Sequence, residues 1–279
     1  MNIKTLKETS IEEILEVFNH SFSDYFVPFK LTYEQLLAKM KADKTDLSLS
    51  VGTFENETLV GFILHGFDVI NHKKIAYNGG TGVIPEKRGL GLTKQMYSYI
   101  LPILKTKGIN KLQLEVISNN IQAIKSYQKA GFEIKRNLSC FKGTITSLPT
   151  NSTIKIKPIT SYHWELMESF WSVSPTWQNA SNTLHELTHI HTSLGAYYQN
   201  QLVGYVIYNP SSNRIQQIAI DKAFRKQKIA SSLINKLLKG NETKISVINV
   251  DNSNQELCLF FEKIGLSYYL EQLEMQLNL

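Results

Sequence analysis

The stretch GVIPEKRGLGLTKQMYSYIL, residues 82–101, gathers Lys87, Arg88, Gly89 and Gly91 in the joint between two apolar patterns. The first pattern ends like a strand, and the second has the spacing of an amphipathic helix. A helix that begins at such a joint has first-turn N–H groups without intrahelical partners and the positive end of its dipole, which together suit a phosphate-sized anion. Glycine at 89 and 91 lets an anion approach the backbone with no Cβ in the way, and Arg88 adds forked donors at the rim. Glycine-rich turns of this kind often bind nothing, so these residues alone leave an empty turn open as well. Two familiar phosphate motifs are absent: there is no GxxxxGK[ST], and RGLGLT is not GxGxxG after a first strand.

The elements that must position this turn can be read from periodicity, and they occur twice. VGTFENETLVGFIL (51–64) has a partner in LGAYYQNQLVGYVIY (194–208), each an alternating pair of runs around a polar turn, as in a hairpin. TGVIPEKRGLGLTKQMY has a weaker echo in IAIDKAFRKQKIASSLI, with Arg88 facing Arg225, and NNIQAIKSYQKAGF is echoed by SNQELCLFFEKIGL, with Asn120 facing Asn254. The pattern predicts an internal duplication. Each half reads as a short strand (3–6; 154–159), two helical stretches (11–22 and 33–40; 163–171 and 182–187), the hairpin, a strand (75–83; 214–220), a helix (92–105; 229–238), a strand (111–116; 244–250) and a last helix (121–130; 255–264). That is a mixed sheet with helices packed on it, α+β in class and α/β/α in layers. The polar, turn-rich GTITSLPTNST at 143–153 reads as the linker, which predicts domains at 1–145 and 153–279.

Bulk properties narrow the function classes. The 279 residues are long for one ordinary domain. Thirty Lys and Arg against 24 Asp and Glu, spread without a basic block, give a net charge of +6, a mild bias toward anionic ligands and poor evidence for nucleic acid. Cys140 and Cys258 stand far apart, without the spacing of a zinc site or a disulfide framework, so no metal is expected. MNIKTLKETSIEEILEV lacks the apolar core of a signal peptide, and no apolar run reaches membrane-spanning length. The expectation is a cytoplasmic protein with no nucleic-acid or membrane partner; a homodimer is compatible with it.

Val83 to Thr93, VIPEKRGLGLT, resembles the R-x-x-G-x-[G/A] acetyl-CoA loop of the GCN5-related N-acetyltransferases, with Thr93 in place of the final small residue. Leu114 to Phe132, LEVISNNIQAIKSYQKAGF, is similar to the second half of that family's signature, N-x-x-A-x-x-x-Y-x-x-x-G-F. The resemblance covers nearly all of 1–142 and the second half more loosely. It implies two tandem domains, each a mixed, mostly antiparallel sheet flanked by helices, with two strands splayed around the pantetheine arm. Acetyl-CoA as cosubstrate would pair with backbone near Val83 and lay its pyrophosphate on Arg88, Gly89, Leu90, Gly91, Leu92 and Thr93, with Asn120 opening the following helix. Tyr127 matches the family's acid beside the sulfur, and Glu115 the base of its protein N-terminal acetyltransferases. Read without the motif, Tyr127 packs on an apolar face and Glu115 faces solvent or pairs with Lys111 or Lys125.

The implied activity is transfer of an acetyl group to a primary amine on a small molecule or peptide, with a non-catalytic acyl-CoA-binding or regulatory module as the alternative. The acceptor is expected against the aromatic loop SFSDYFVPFKLT (21–32), notably Asp24 and Tyr25, and the strand edge at Tyr77 and Asn78; His65 reads as structural. In the second half Lys228 replaces a loop glycine, so that its side chain obstructs a pyrophosphate, and Phe261 replaces Tyr127. The second domain is therefore expected to be a degenerate copy.

Overall fold

The computed structural model describes residues 1–24, 30–70, 72–238 and 243–279, which fall into two compact units. Unit 1 comprises Met1–Arg136 together with Leu273–Leu279, and unit 2 comprises Asn137–Gln272.

Unit 1 contains β1 (Asn2–Thr5), α1 (Ile11–Ser21), α2 (Tyr33–Ala42), β2 (Val51–Glu55), β3 (Thr58–Ile70), β4 (Lys73–Val83), α3 (Leu92–Thr106), β5 (Lys111–Ile117) and α4 (Ile121–Lys129). Its helices start where side-chain chemistry starts them: Ser10 accepts from Glu13 N, Thr32 and Gln35 form a reciprocal capping box, and Asn120 accepts from Ala123 N. β1 to β4 form an antiparallel meander, and β5 joins β4 in parallel. Alternation along β3 sends Phe62 and Leu64 to one face, against Ile14, Val17 and Phe18 of α1, and Ile63 to the other, against Met96 and Ile100 of α3. The sheet is thus covered by helices on both faces.

Unit 2 repeats the order with β7 (Lys155–Pro158), α5 (Trp164–Ser169), α6 (Ser181–Glu186), β8 (Thr192–Tyr198), β9 (Gln201–Asn209), β10 (Arg214–Ile220), α7 (Ile229–Leu238), β11 (Thr243–Asp251) and α8 (Gln255–Lys263). The predicted elements of both halves are present, displaced by a residue or two at most ends.

Two long strands stand outside the sequence-based expectation. β6 (Glu133–Ile145) supplies residues 138–145 to unit 2, antiparallel to β11, and β12 (Leu266–Asn278) supplies 273–278 to unit 1, next to β5. Each unit therefore takes its sixth strand from the far side of the 146–152 linker, where a cut at the linker would have left that strand with the other half. Burial is the physical reason: Leu273 and Met275 lie in the core of unit 1, with Leu112, Leu114 and Phe132, whereas Phe141 and Ile145 lie in the core of unit 2.

Candidate active site

β4 and β5 pair only at Ile75↔Lys111, Ala76↔Leu112 and Tyr77↔Gln113, while β4 stays paired with β3 as far as Val83. The divergence begins at a β-bulge, where the β3–β4 register shifts between Leu64 and His65. Asn78 stitches this bulge together. Its Nδ2 donates to Thr81 Oγ1 and to Tyr97 OH, both at 2.8 Å, and its Oδ1 accepts from Gly80 N. Expected to face the acceptor, the Asn78 carboxamide is instead spent inside the fold, on Gly80 and Thr81 of its own strand and Tyr97 of α3.

Beyond Val83 a short turn at Pro85–Lys87 leads to Gly89 (φ 79°) and Gly91 (φ 71°), both left-handed. A Cβ at either position would meet nothing within 4 Å, so packing does not call for glycine here. Gly91 is the N-cap of α3 and has no side chain to offer, so the first-turn N–H groups of Leu92 and Thr93 lack the side-chain cap that α1, α2 and α4 all possess. Leu90 is exposed. The turn thus leaves first-turn N–H groups and the positive end of the α3 dipole without a side-chain cap.

Arg88 is not at its rim. The guanidinium grips Asp24 with both ends, at 2.7 and 2.8 Å, donates from Nη2 to Ser21 O at 2.9 Å and from Nε to Val83 O at 3.2 Å. This hydrogen-bonded pairing holds the Asp24 carboxyl below the usual carboxylate range and raises Arg88. Arg88 is a strut that fastens the loop to the end of α1, and Asp24, expected to face the acceptor, is its anchor. Tyr25 lies outside the described residues.

Glu115, on β5, accepts from Tyr77 OH at 2.5 Å, and its second oxygen is buried without a partner among the described residues. Burial pushes its carboxyl up to about 8; the Tyr77 hydrogen bond opposes this, and the charges of Glu274 and Asp43 add to it. Sequence reasoning placed Tyr77 near the acceptor but missed its hold on Glu115; a tyrosine two residues along the strand from buried Ile75 was the available signal. Tyr127, buried on α4, stands edge-on to Tyr97 with ring centres 6.4 Å apart and packs against Phe132. Tyr97 joins it to the Asn78 bulge. His65 is buried and neutral, its pKa lowered by burial to about 4 and its Nδ1 bonded to Leu49 O.

Unit 2 repeats this scaffold with altered chemistry. Lys226 and Lys228 occupy the places of Gly89 and Gly91 and keep the left-handed conformation, both at φ 61°. Arg225 repeats the strut, donating to Ile220 O, Ser172 Oγ and Phe170 O. Phe261 is buried where unit 1 has Tyr127, and Asn249 stands where it has Glu115.

The sequence model of the GNAT acetyltransferase family matches this chain twice, over residues 11–132 and 156–266. The chain belongs to the GNAT family. It is a tandem GNAT protein and an N-acetyltransferase of the acyltransferase class. An acetyltransferase from Yersinia pestis (strain Pestoides F) is 26% identical over 145 residues, which cover 52% of this GNAT chain and 96% of that protein. Among solved structures, a GCN5-related N-acetyltransferase from Sphaerobacter thermophilus superposes with TM-score 0.74 at 12% identity, covering 99% of this chain and 95% of that one. A tandem GNAT protein from the clavulanic acid biosynthesis pathway gives TM-score 0.74 at 9% identity, covering 99% and 98%. At such identities these two structures speak for the fold.

Proposed function

We propose that unit 1 transfers an acetyl group from acetyl-CoA to a primary amine of a small molecule or peptide, and that unit 2 does not catalyse this step. The observation that carries the reading is the pairing of a parted β4–β5 edge with an uncapped α3 that opens on two left-handed glycines. Backbone N–H groups of Gly89 to Thr93 would hold the pyrophosphate, and the β4 edge near Val83 would pair with the pantetheine arm and polarise the thioester carbonyl.

Glu115, with a pKa near 8, is suited to accept a proton from the acceptor ammonium near neutral pH. The free amine nitrogen then bonds to the acetyl carbon as the C–S bond breaks, and the nitrogen releases its second proton to solvent to leave the neutral amide. Tyr127 gives its proton to the departing thiolate and is restored from solvent. Phe261 and Asn249 can do neither, which is why turnover is assigned to unit 1 alone.

Calorimetric titration with acetyl-CoA, with release of free thiol followed over a panel of amines, tests this. One site per chain, lost in Gly91→Lys, and turnover slowed roughly 10²- to 10⁴-fold in Tyr127→Phe are expected. Binding without turnover for every amine would favour a non-catalytic acyl-CoA-binding module, and no binding would overturn both readings.

A further inference from the structure

Unit 2 encloses a cavity of about 790 Å³ between β10 and β11, which pair only at Arg214↔Ser246. That volume lies in the range of small-molecule sites. Its walls are largely apolar, including Ile215, Ile218, Val247 and Phe261. Charged side chains of the lining, such as Lys228, Glu256 and Lys263, are all exposed or half-buried, whereas its buried amide residues, Asn179, Gln217 and Asn249, are neutral.

Asn249 is the unusual member. It is buried, it sits in a strand at φ 60° where the β6–β11 register shifts, and its amide oxygen Oδ1 is buried with no hydrogen-bond partner among the described residues. An unpaired buried amide costs about 1–3 kcal/mol, and an outlying backbone conformation adds strain that persists only where the surroundings demand it. Asn179 is also buried and lacks a partner for Oδ1. It is held in place, because its Nδ2 donates to Ile248 O and its backbone oxygen accepts from Gln217, which itself accepts from Tyr205 OH. Whichever way its amide plane is turned, Asn249 offers one donor and one acceptor, and Asn179 offers a further acceptor. A buried ion would find no countercharge here; a second amide would pair with both the donor and the acceptor of Asn249.

We propose that this cavity is a non-catalytic binding site for a neutral, largely apolar carboxamide, whose N–H and C=O pair with Asn249 while its body fills the cleft. With Asn249 and Phe261 in place of a base and an acid, the ligand binds without reacting. The inference does not depend on the activity of unit 1.

The test is calorimetry of the full chain with matched pairs: N-alkyl acetamides from propyl to decyl and N-benzylacetamide, each against the ester of the same shape. The acetamides are expected to bind one per chain, at least about tenfold more tightly than their esters, because an ester leaves the acceptors unpaired. Asn249→Gly, which removes the amide while suiting the positive φ, should abolish that preference, and Ile218→Trp, which fills the cleft, should abolish binding. Equal binding of amides and esters, a preference retained in Asn249→Gly, or no acetamide binding at all would overturn the proposal. A second equivalent of coenzyme A, removed by Ile218→Trp, would assign the cleft to the cosubstrate instead and also overturn it.

Discussion

Tyr77→Phe isolates the one hydrogen bond that steadies the candidate base. Tyr77 OH donates to Glu115 Oε2, and this bond stabilises the ionised carboxyl against the burial that raises its pKa to about 8. Hydrogen bonds to charged groups contribute about 1.5–3 kcal/mol, which corresponds to roughly one to two pH units. The variant should therefore ionise near pH 9–10 by this reckoning. At pH 7 the ionised fraction falls from about one in ten to about one in a hundred or a thousand, so kcat/KM should drop roughly 10- to 100-fold. At pH 10 the two proteins should agree within about twofold. Thiol release measured from pH 6 to 10 on one amine gives the ratio of variant to wild type, in which the titration of the amine itself cancels. A ratio that stays flat across this range would refute the assignment of Glu115 as base or of Tyr77 as its support.

Three further outcomes follow from the same geometry. The folded pKa of Glu115 lies above its ordinary value, so between about 4.5 and 8 the folded state holds a proton the unfolded state has released, and stability falls as pH rises; Glu115→Gln should lose that part of the decline, seen as a melting-temperature difference from wild type that grows from pH 5 to 8. Arg88→Ala and Asp24→Ala should each raise the KM for acetyl-CoA and not add in the double variant, because they break one strut; additive effects would mean that Arg88 meets the ligand independently of Asp24. Lys228→Gly should stabilise the chain by about 0.5–1 kcal/mol in denaturant unfolding, since a left-handed lysine carries a steric cost that exceeds the added chain entropy of glycine.

Most of the fold was legible because the halves repeat and their helices carry strong periodicity and caps. β12 escaped because LEQLEMQ is rich in good helix formers, and only its place beside β5 makes it a strand. β6 escaped because EIKRNLSCFKGTI has no clean alternation, its buried run Leu138–Phe141 being covered on both faces. At the site, residue types predicted the left-handed loop backbone at Gly89 and Gly91, but not the partners of Arg88, Asp24 and Asn78. Arg88 and Asp24 are 64 positions apart, and an arginine beside glycines looks the same whether it faces a phosphate or an aspartate. Lys228, expected to obstruct a pyrophosphate, sits with Lys226 in a loop that keeps its left-handed course.

The seating of residues 273–279 in unit 1 bears on how the protein is made. Translation delivers the first 136 residues long before the strand that covers β5, so on the ribosome the sheet of unit 1 is unfinished, with Leu112 and Leu114 beside an open edge. Unit 1 can be completed only after the whole of unit 2 has been synthesised. The two units are in this way unequal: unit 2 is one continuous stretch, whereas unit 1 cannot be inherited, spliced out or expressed alone without leaving its final strand behind.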